Sequence, residues 1–335
     1  MEAFYIRKYG GPEVLERGRL PTPVLGLQDV RIRVHAASVN PLDWRIREGQ
    51  LKVLLPYRFP LVLGNDCSGV AIEVGREVSR FRAGDAVYTR AEKDRIGTFA
   101  TEIVADEVVV ARKPVALSRV EAASLLLVLL TAAQFLAEAA ALKRGQSVLI
   151  HAGAGAVGSV TIQLAKHLGL RVISTASGGN ITFVKGLGAD RVIDRQTQRF
   201  EHDVRDIDAV LDSVGMSNLL RSFQCVKPGG NVVSIADDPD VSLASALGVN
   251  RLLRPVFWAR GARPHAAARR VGAKYRYWFM RADGPQLESL NPLLESGTIR
   301  PYVGSIFPFD QAPHAIAKGE EGKARGKVAI QMLDD

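Results

Sequence analysis

The stretch "SVLIHAGAGAVGSVTIQLAKHLG", from Ser147 to Gly169, predicts the fold of the central part of the chain. An apolar strand leads directly into Gly153, Gly155 and Gly158, which have the spacing G-x-G-x-x-G, and a helix follows. Glycines at this spacing permit a tight turn, close approach of the backbone to a pyrophosphate, and close packing of helix on strand. The N-terminus of the helix offers free N–H groups to the anion. The motif therefore predicts a dinucleotide-binding unit, and a glycine-rich turn without a ligand is the alternative.

Strand-like and helix-like segments alternate after this loop, which is typical of a parallel sheet covered by helices on both faces. Besides the strand at 147–152, we expect strands at 171–176, 190–194, 208–214, 231–236 and 275–280, and helices at 158–168, 181–187 and 217–226.

The first 115 residues have a different texture, with short alternating strands separated by glycine and proline turns. The apolar window Ala122–Leu142 is interrupted by Gln134 and Glu138, and it predicts a buried helix rather than a membrane span. We therefore predict three segments. Residues 1–120 form the first part of a β-rich domain, 121–282 form the nucleotide-binding domain, and 283–335 complete the β-rich domain.

The composition is that of an ordinary soluble protein, with 47% hydrophobic and 24% charged residues among 335. The two cysteines, Cys67 and Cys225, do not make a disulfide framework, which favours a reducing compartment. The first ten residues lack the apolar run of a secretory signal peptide. Together these features predict a cytoplasmic protein.

The formal charge of +9 is concentrated in one stretch, residues 251–281, here called the basic segment. It holds nine of the 44 basic residues, and no acidic residue stands between Asp240 and Asp283. The remaining chain is balanced, so no nucleic-acid partner is expected. Because apolar residues alternate with arginines, peripheral membrane contact through 251–276 is one interpretation. A substrate lid, an RNA-binding patch, or a solvated helical crossover between the last two strands are the others.

The residues after the second strand indicate the nicotinamide cofactor. An NAD-binding unit carries an acidic residue about 20 positions after the glycine loop, where it binds the ribose 2′-hydroxyl. Here the strand ends in "STAS", and the first carboxylate is Asp190, in the next β-unit. Ser177, Lys185 and Arg195 are available to contact a 2′-phosphate, so we predict NADPH. Lys185 and Arg195 are otherwise ordinary solvated charges.

By these features the sequence resembles the medium-chain dehydrogenase/reductase superfamily, in its zinc-independent quinone oxidoreductase branch, over nearly its whole length. The matching stretches are "ASVNPLDWRIREG" (37–49), "FPLVLGNDCSGVAIEVG" (59–75), "FRAGDAVY" (81–88), "GTFATEIV" (97–104), "LLTAAQFLAEAAALKRGQSVLIHAGAGAVGSVTIQLAK" (129–166), "GADRVID" (188–194), "VLDSVG" (210–215) and "KPGGNVVSI" (227–235).

The resemblance implies an α/β fold, in which a Rossmann-type doubly wound parallel sheet domain accompanies a β-rich, GroES-like catalytic domain. It implies an NADPH-dependent oxidoreductase that transfers hydride to a quinone or an α,β-unsaturated carbonyl without zinc. A small-molecule carbonyl or quinone is then the substrate. A homodimer is also implied, with "YRYWFM" (275–280) as a strand at the edge of the sheet.

The resemblance also predicts that no metal is bound. The zinc members take a cysteine from the first matching stretch and a histidine from the second, and those places look like Asn40 and Asn65 here. Neither is a usual zinc ligand, and without a Lewis acid zinc-assisted alcohol oxidation is not expected. Cys67 stands next to the vacated place, and we interpret it as a small buried residue.

Three residues of the first matching stretch are the candidate catalytic residues. By its place in the family, Asn40 is predicted to donate its amide to the acceptor's carbonyl oxygen as that oxygen gains charge. Alternatively, Asn40 satisfies local backbone before Pro41. Asp43 orders Asn40 or the cofactor, or it caps a helix. Arg45 binds a polar group of the substrate, or is simply solvated.

The remaining candidate residues are predicted to contact the cofactor. They include the threonine that meets the nicotinamide end in the family, the glycine loop, and the carboxyl ends of the fourth and fifth strands, where such sheets bind ligands. They are Thr131, Gly153, Gly155, Ala156, Val157, Gly158, Asp212, Ser213, Val214, Ser234 and Ile235, together with Ser177, Lys185 and Arg195.

Two other functions stay open at this point. One is a cofactor-binding protein with little turnover that acts at a membrane or on RNA through the basic segment. The other is a zinc-type alcohol dehydrogenase with atypical ligands.

Overall fold

The computed structural model describes residues 1–236, 239–322 and 325–333. The chain divides into two compact units. The first comprises Met1–Leu130 and Arg281–Asp335, and the second comprises Thr131–Met280. The domain limits predicted from the sequence, at 120 and 282, stay a prediction.

The N-terminal part of the chain is built mainly of strands, and short helices follow β3 and β8. Its elements are β1 (Glu2–Ile6), β2 (Leu15–Arg19), β3 (Asp29–Val39), α1 (Pro41–Arg47), β4 (Leu61–Val62), β5 (Asp66–Val74), β6 (Ala86–Arg90), β7 (Glu102–Asp106), β8 (Val110–Arg112), α2 (Arg119–Ala123) and α3 (Leu126–Gln134), the last of which runs into the second unit.

The second unit alternates strands and helices. Its elements are β9 (Ser147–Ile150), α4 (Ala156–His167), β10 (Arg171–Ala176), α5 (Ile181–Gly186), β11 (Arg191–Asp194), α6 (Phe200–Asp203), β12 (Ile207–Asp212), α7 (Met216–Ser222), β13 (Val226–Ser234), α8 (Val241–Ala246), α9 (Arg254–Arg270) and β14 (Lys274–Tyr277). The C-terminal part of the chain returns to the first unit with α10 (Gly284–Glu295), β15 (Val303–Pro308), α11 (Ala312–Glu320) and β16 (Lys327–Gln331).

The first unit contains two sheets. One has the order β2-β1-β4, and the larger has the order β15-β16-β3-β5-β6-β8, with β7 also paired to β3. The long strand β3 pairs antiparallel with β5, β7 and β16, so it is the centre of the larger sheet. The C-terminal part of the chain thereby adds two strands, β15 and β16, to a sheet that the N-terminal part begins.

The second unit has one six-stranded sheet in the order β11-β10-β9-β12-β13-β14, and every neighbouring pair is parallel. Counted within this unit the order is 3-2-1-4-5-6, that of a doubly wound dinucleotide-binding sheet, so the predicted fold class is confirmed for this part. The direction of the winding reverses next to β9, and such a reversal is where these sheets bind ligands. The glycine loop follows β9 directly.

Apolar residues of the second unit explain this topology. Leu149, Val210 and Val232 are fully buried on neighbouring strands, and Phe223 packs against them after α7. Each such side chain contributes about 1.5–3 kcal/mol when it leaves water.

The apolar window at 122–142 is largely buried within α2, α3 and a π-helical turn over Phe135–Ala139, as predicted. In the described ranges, none of the helices has both the length and the apolar character that crossing a membrane requires.

Candidate active site

The glycine loop connects β9 to α4 by backbone contacts that leave no room for side chains. A Cβ on Gly158 would collide with the carbonyl oxygen of Ala152 and lie 2.8 Å from the Cα of Gly153. A Cβ on Gly153 would collide with the hydroxyl of Ser174. Gly155 has more room, since its Cβ would meet only the oxygen of Ala152, at 3.2 Å. Two glycines therefore permit close packing, and Gly155 keeps the backbone open.

The N-terminus of α4 is available to an anion. Gly155 is its N-cap and has no side chain to bond the first N–H groups. Ala156 and Val157 form the first turn, and their side chains are partly buried. Free N–H groups at the start of a helix of 12 residues, next to a backbone without side chains, fit a pyrophosphate.

Hydrogen bonds of His151 fix the end of β9. Its Nε2 lies 3.0 Å from Ser222 Oγ, and that hydroxyl donates to the oxygen of Asn218 at 2.8 Å. The ring therefore donates from Nε2, and its Nδ1 accepts from Thr175 Oγ1 at 3.1 Å. Burial lowers the pKa of His151 to about 3, so the ring stays neutral. The hydrogen bonds of His151 to Thr175 on β10 and to Ser222 on α7 therefore fix the position at which the glycine loop begins.

The predicted cofactor residues at the ends of β12 and β13 lie at the same edge of the sheet as the glycine loop. Asp212 is opposite Ser234 in the parallel register, and the backbone N–H of Ile235 donates to the oxygen of Asp212 at 2.9 Å. Ser213 Oγ donates to the backbone oxygen of His151 at 3.1 Å.

Asp212 itself holds the following turn together. Its fully buried carboxylate accepts hydrogen bonds from the N–H groups of Val214 and Gly215, at 3.1–3.2 Å, and from Ser234 Oγ at 3.0 Å. Val214, in contrast, is about half exposed at the edge of the sheet. The geometry thus gives Asp212 a role in shaping the loop and leaves Val214 accessible to a ligand.

The structure brings Ser177 and Arg195 together at the ends of β10 and β11. Ala176 is paired with Asp194 in the parallel register, and the N–H of Arg195 donates to the oxygen of Ala176 at 2.9 Å. Ser177 is partly buried and Arg195 is exposed. Two residues 18 positions apart in sequence are therefore neighbours at the place predicted for the 2′-phosphate.

A carboxylate that the sequence analysis did not consider lies near this place. A Cβ on Gly178 would be 3.1 Å from Asp194 Oδ2, so the Asp194 carboxylate faces the turn after β10. Asp190 points elsewhere, because Lys166 Nζ donates to both of its oxygens at 2.7–2.8 Å. Lys185 is exposed in the last turn of α5.

Thr131 is the remaining predicted cofactor residue. It is buried within α3 at the start of the second unit, and its contact with a cofactor stays a prediction.

Two of the three candidate catalytic residues, Asn40 and Asp43, belong to a buried group in the first unit, here called the polar cluster, which consists of Asn40, Asp43, Asn65, Asp66, Arg90 and Lys327. The sheet assembles it in a row. Ser38 and Arg90 are both paired with Asp66, from β3 on one side and β6 on the other. Val328 is paired with Val39, which puts Lys327 of β16 beside Asn40. Four neighbouring strands thus end in polar side chains at one place.

The side-chain amide of Asn40 is engaged within the cluster. Its Nδ2 donates to Asp66 Oδ2 at 3.0 Å and to the backbone oxygen of Ser38 at 3.4 Å. Its Oδ1 accepts from Lys327 Nζ at 2.6 Å. Because Asn40 is also only 1% exposed, the amide is directed at Asp66 rather than at solvent. Its predicted donation to a carbonyl oxygen stays a prediction.

Asp43 connects α1 to the loop before β5. Its Oδ2 accepts from the backbone N–H of Asn40 at 2.7 Å, which satisfies a free donor at the start of α1. Its Oδ1 accepts from Asn65 Nδ2 at 2.6 Å. The structure thus supports the capping interpretation of Asp43. Arg45 lies two positions further along α1, is partly exposed, and donates to Gln50 Oε1 at 3.2 Å.

The charges of the polar cluster balance, with Asp43 and Asp66 against Arg90 and Lys327, and all four are buried. Burial raises the pKa of Asp43 to about 7, and its hydrogen bonds oppose this shift only in part. Burial also raises the pKa of Asp66 and lowers the pKa of Lys327, while the attraction between them opposes both shifts. Their charged atoms are 3.8 Å apart. Such a cluster is stable only while the opposite charges stay together.

The cluster does not fit a zinc ion. Asn40 stands where the zinc members have a metal ligand, and its side-chain oxygen already accepts a hydrogen bond from the ammonium of Lys327. This positive charge would repel a zinc ion at the same place. Across the described ranges, no three histidine, cysteine, aspartate or glutamate side chains are grouped as metal ligands. Cys67 is fully buried, and burial raises the pKa of its thiol, as expected of a small buried residue.

Comparison with protein families gives two matches. Residues 26–115 match the family model described as the alcohol dehydrogenase GroES-like domain. Residues 187–330 match the model described as zinc-binding dehydrogenase. The first match confirms the predicted GroES-like domain. The description of the second model includes zinc binding, and the side chains of the polar cluster do not fit a zinc ion.

Several characterised proteins are similar over nearly the whole chain. The mitochondrial NAD(P)H oxidoreductase RTN4IP1 of Mus musculus is 33% identical over 99% of this chain and 89% of its own. The chloroplastic NADPH-dependent alkenal/one oxidoreductase of Arabidopsis thaliana is 31% identical over 99% of this chain and 80% of its own. The crystal structure of a quinone oxidoreductase from Coxiella burnetii is 32% identical over 99% of both chains, with a TM-score of 0.84.

These comparisons correct the predicted location. The mouse relative is mitochondrial and the Arabidopsis relative is chloroplastic, and on this finding the prediction of a cytoplasmic protein is wrong. The prediction was based on unpaired cysteines and on an N-terminus unlike a secretory signal. Neither feature separates the cytoplasm from the interior of an organelle, because transit peptides are amphipathic rather than apolar.

The sequence analysis missed part of the site. Lys327 and Arg90 carry no motif, and only the pairing of β16, β3, β5 and β6 brings them to Asn40 and Asp66. A buried-charge signal was present in Asp66, which follows Gly64 and Asn65 after the apolar run "FPLVL" (59–63). A buried carboxylate requires a positively charged partner, but the sequence does not show which lysine or arginine provides it.

Proposed function

The chain belongs to the medium-chain dehydrogenase/reductase superfamily, in its zinc-independent quinone oxidoreductase branch, and we propose its function on that basis. It is an NADPH-dependent oxidoreductase that transfers hydride to a quinone or to an α,β-unsaturated carbonyl. The observation that carries this function is the glycine loop, which lies after the first strand of a 3-2-1-4-5-6 parallel sheet and leads to an uncapped helix N-terminus. Neither the binding protein with little turnover nor the zinc-type alcohol dehydrogenase is favoured.

The residues present fit NADPH, which supplies the hydride when it is bound. The glycine loop and the first N–H groups of α4 hold the pyrophosphate. Ser177, Lys185 and Arg195 bind the 2′-phosphate. At the carboxyl ends of β12 and β13, Ser213, Val214 and Ile235 contact the next part of the cofactor, and the buried Asp212 and Ser234 shape the loop behind them. Thr131 meets the nicotinamide end.

The polar cluster takes the place of a metal site on the acceptor's side. We propose that Asn40 and Asp43 act as positioning residues, because their polar atoms are held within the cluster. Asp43 holds the start of α1, and Lys327 fixes the amide of Asn40. Arg45, two positions after Asp43 on α1 and partly exposed, is the candidate to meet a polar group of the acceptor.

A direct test measures NADPH oxidation with a quinone, a 2-alkenal and a simple ketone, and runs NADH in parallel. We expect turnover with the quinone or the alkenal, none with the ketone, and a lower rate with NADH. Binding of NADPH without turnover of any acceptor would refute the reductase. Turnover of the ketone alone would indicate a different reaction class.

A homodimer is a finer proposal. β14 lies at the edge of the six-stranded sheet, and such an edge can pair with a second copy. Equilibrium sedimentation should then give a dimer. A monomer at every protein concentration would contradict this proposal.

Peripheral membrane contact through residues 251–276 is the other finer proposal. It is supported by the position of these residues on the surface of the second unit, where α9 begins with exposed apolar and basic side chains.

A further inference from the structure

The start of the basic segment is an exposed apolar patch. Leu252 is 85% exposed, Trp258 66% and Val256 51%, and Leu253 is also exposed. Phe257 alone in the range 251–260 is buried, and it fastens the helix to the second unit. Large apolar side chains so close together in water mark a surface that meets something else.

The same surface is positively charged. Within the described part of the chain, Arg251, Arg263, Arg269 and Arg270 form no ion pair, and all are exposed. No acidic residue occurs from 241 to 282. Asp240 is buried, where it caps α8 and accepts from His265, so it does not neutralise this face.

The spacing places apolar and basic side chains on one face of the helix. Val256, Arg263 and Arg270 follow one another at seven-residue intervals, about two turns of α9, and Leu252 lies in the 3₁₀ turn Arg251–Leu253 just before the helix. The buried residues Phe257, Gly261 and Ala268 define the opposite face. The outward face therefore starts apolar and continues with arginine.

An exposed surface of this kind could bind a second copy of the chain, RNA or a lipid bilayer. Its charge and its apolar side chains together distinguish these three partners. A second copy would bring the same arginines against each other, which is repulsive. RNA would satisfy the arginines, but Leu252 and Val256 are aliphatic and gain nothing from phosphates or stacked bases. An anionic lipid bilayer satisfies both groups, because headgroups attract arginine while acyl chains accept apolar side chains.

We propose that the face formed by Arg251, Leu252, Val256, Arg263 and Arg270 docks on an anionic lipid bilayer. Leu252 and Val256 enter the acyl-chain boundary, and the three arginines bind the lipid phosphates. Trp258, two positions after Val256 and therefore on the side of the helix, lies at the level of the headgroups. This inference extends the membrane contact of the proposed function to a lipid class and to inserting residues, and it does not depend on the reductase activity.

The test is co-sedimentation of the full chain with phosphatidylcholine vesicles, with and without phosphatidylserine. Binding should require phosphatidylserine and should weaken with salt. The double variant R251Q/R263Q should bind anionic vesicles on the order of 30-fold more weakly, at about 1 kcal/mol for each basic residue near the surface. The double variant L252S/W258S should lose at least about tenfold.

Matched controls remove the same chemistry elsewhere. R19Q/R76Q removes two exposed charges, and V24S/V115S removes two apolar side chains that are each 90% exposed. Both should bind as the parent protein does. Equal losses in the controls, or equal binding to neutral vesicles, would overturn the proposal. So would displacement from the vesicles by RNA, or a change of oligomeric state in L252S/W258S.

Turnover of a water-soluble quinone separates this proposal from the function. All four variants should keep the parent's kcat and KM in solution, because none of these residues belongs to the glycine loop or to the polar cluster. An inactive parent protein that still binds anionic vesicles would refute the reductase and leave the docking surface intact.

Discussion

The glycine loop and the polar cluster are two prepared sites that are built in opposite ways. The loop works by what is missing: side chains are absent, the backbone is close to its neighbours, and helix N–H groups are left for a ligand. The cluster works by what is present, since four charged groups and two amides are buried together and are joined by the hydrogen bonds Asn40–Asp66, Asn65–Asp43 and Lys327–Asn40. The glycine loop can therefore bind an anion, whereas the polar cluster neutralises its own buried charges. Substitutions should therefore fail in different ways at the two sites.

The largest effect is expected at Gly158. In Gly158→Ala the new Cβ collides with the backbone of Ala152, which no rotamer can avoid. The start of α4 must then shift by a few tenths of an ångström or more, and we expect NADPH to bind at least about 100-fold more weakly. Gly186→Ala is the matched control, because a Cβ there meets nothing within 4 Å. Fluorescence titration with NADPH measures both. Equal dissociation constants would mean that close packing is not what the loop provides.

The second effect is on stability. Lys327→Met leaves Asp66 and Asp43 buried against a single remaining cation, Arg90. We expect the free energy of unfolding to fall by about 3–5 kcal/mol in urea denaturation, the usual cost of an uncompensated buried charge. Lys318→Met removes an exposed lysine that pairs with Glu321, and should cost less than about 1 kcal/mol.

A second variant separates charge balance from simple loss of packing. Lys327→Met combined with Asp66→Asn removes one charge of each sign, so part of the lost stability should return. If the double variant is as unstable as the sum of the single ones, the charge balance of the polar cluster is not what stabilises it.

The difference between the two sites also explains what could be predicted from the sequence. The glycine loop, its strand and its helix are contiguous, so local spacing predicted them, and the parallel sheet followed from the alternation of elements. The cluster joins Asn40 to Lys327 over 287 positions through the pairing of β16 with β3, and no local pattern encodes that pairing. Asp194 was missed for the same reason: only the register between β10 and β11 brings it to Gly178.

The third prediction concerns pH and the buried carboxyl of Asp43. Its folded pKa of about 7 lies above its ordinary value of 3.8, so the folded state binds this proton more tightly than the unfolded state. The stability it contributes is therefore fully present below about pH 4 and is lost as pH rises through 7, by at most about 1.4 kcal/mol per pH unit. Asp43→Asn should flatten this dependence, measured as urea unfolding from about pH 5 to 8.

The neighbouring amide makes this substitution tolerable. Asn65 Oδ1 is buried without a partner among the described residues, so Asn65 can turn its amide and accept from the new side chain. The exposed Asp310→Asn is the control and should keep the parent's pH profile. A parent profile that is already flat between about pH 5 and 8 would show that Asp43 stays ionised in the cluster.

The smallest effect is expected at the end of β11, where an attractive and a repulsive group are adjacent. Arg195→Ala should lower the preference for NADPH over NADH about tenfold, since it removes a charge-assisted hydrogen bond to the 2′-phosphate. Asp194→Asn should raise that preference by a smaller factor, because solvent screens a partly exposed carboxylate. The control is Arg191→Ala, at the opposite end of the same strand, where the arginine pairs with Asp203. The ratio of kcat/KM for the two cofactors measures all three, and opposite signs for Arg195 and Asp194 are the critical result. If both changes move the ratio the same way, the 2′-phosphate is not bound between β10 and β11.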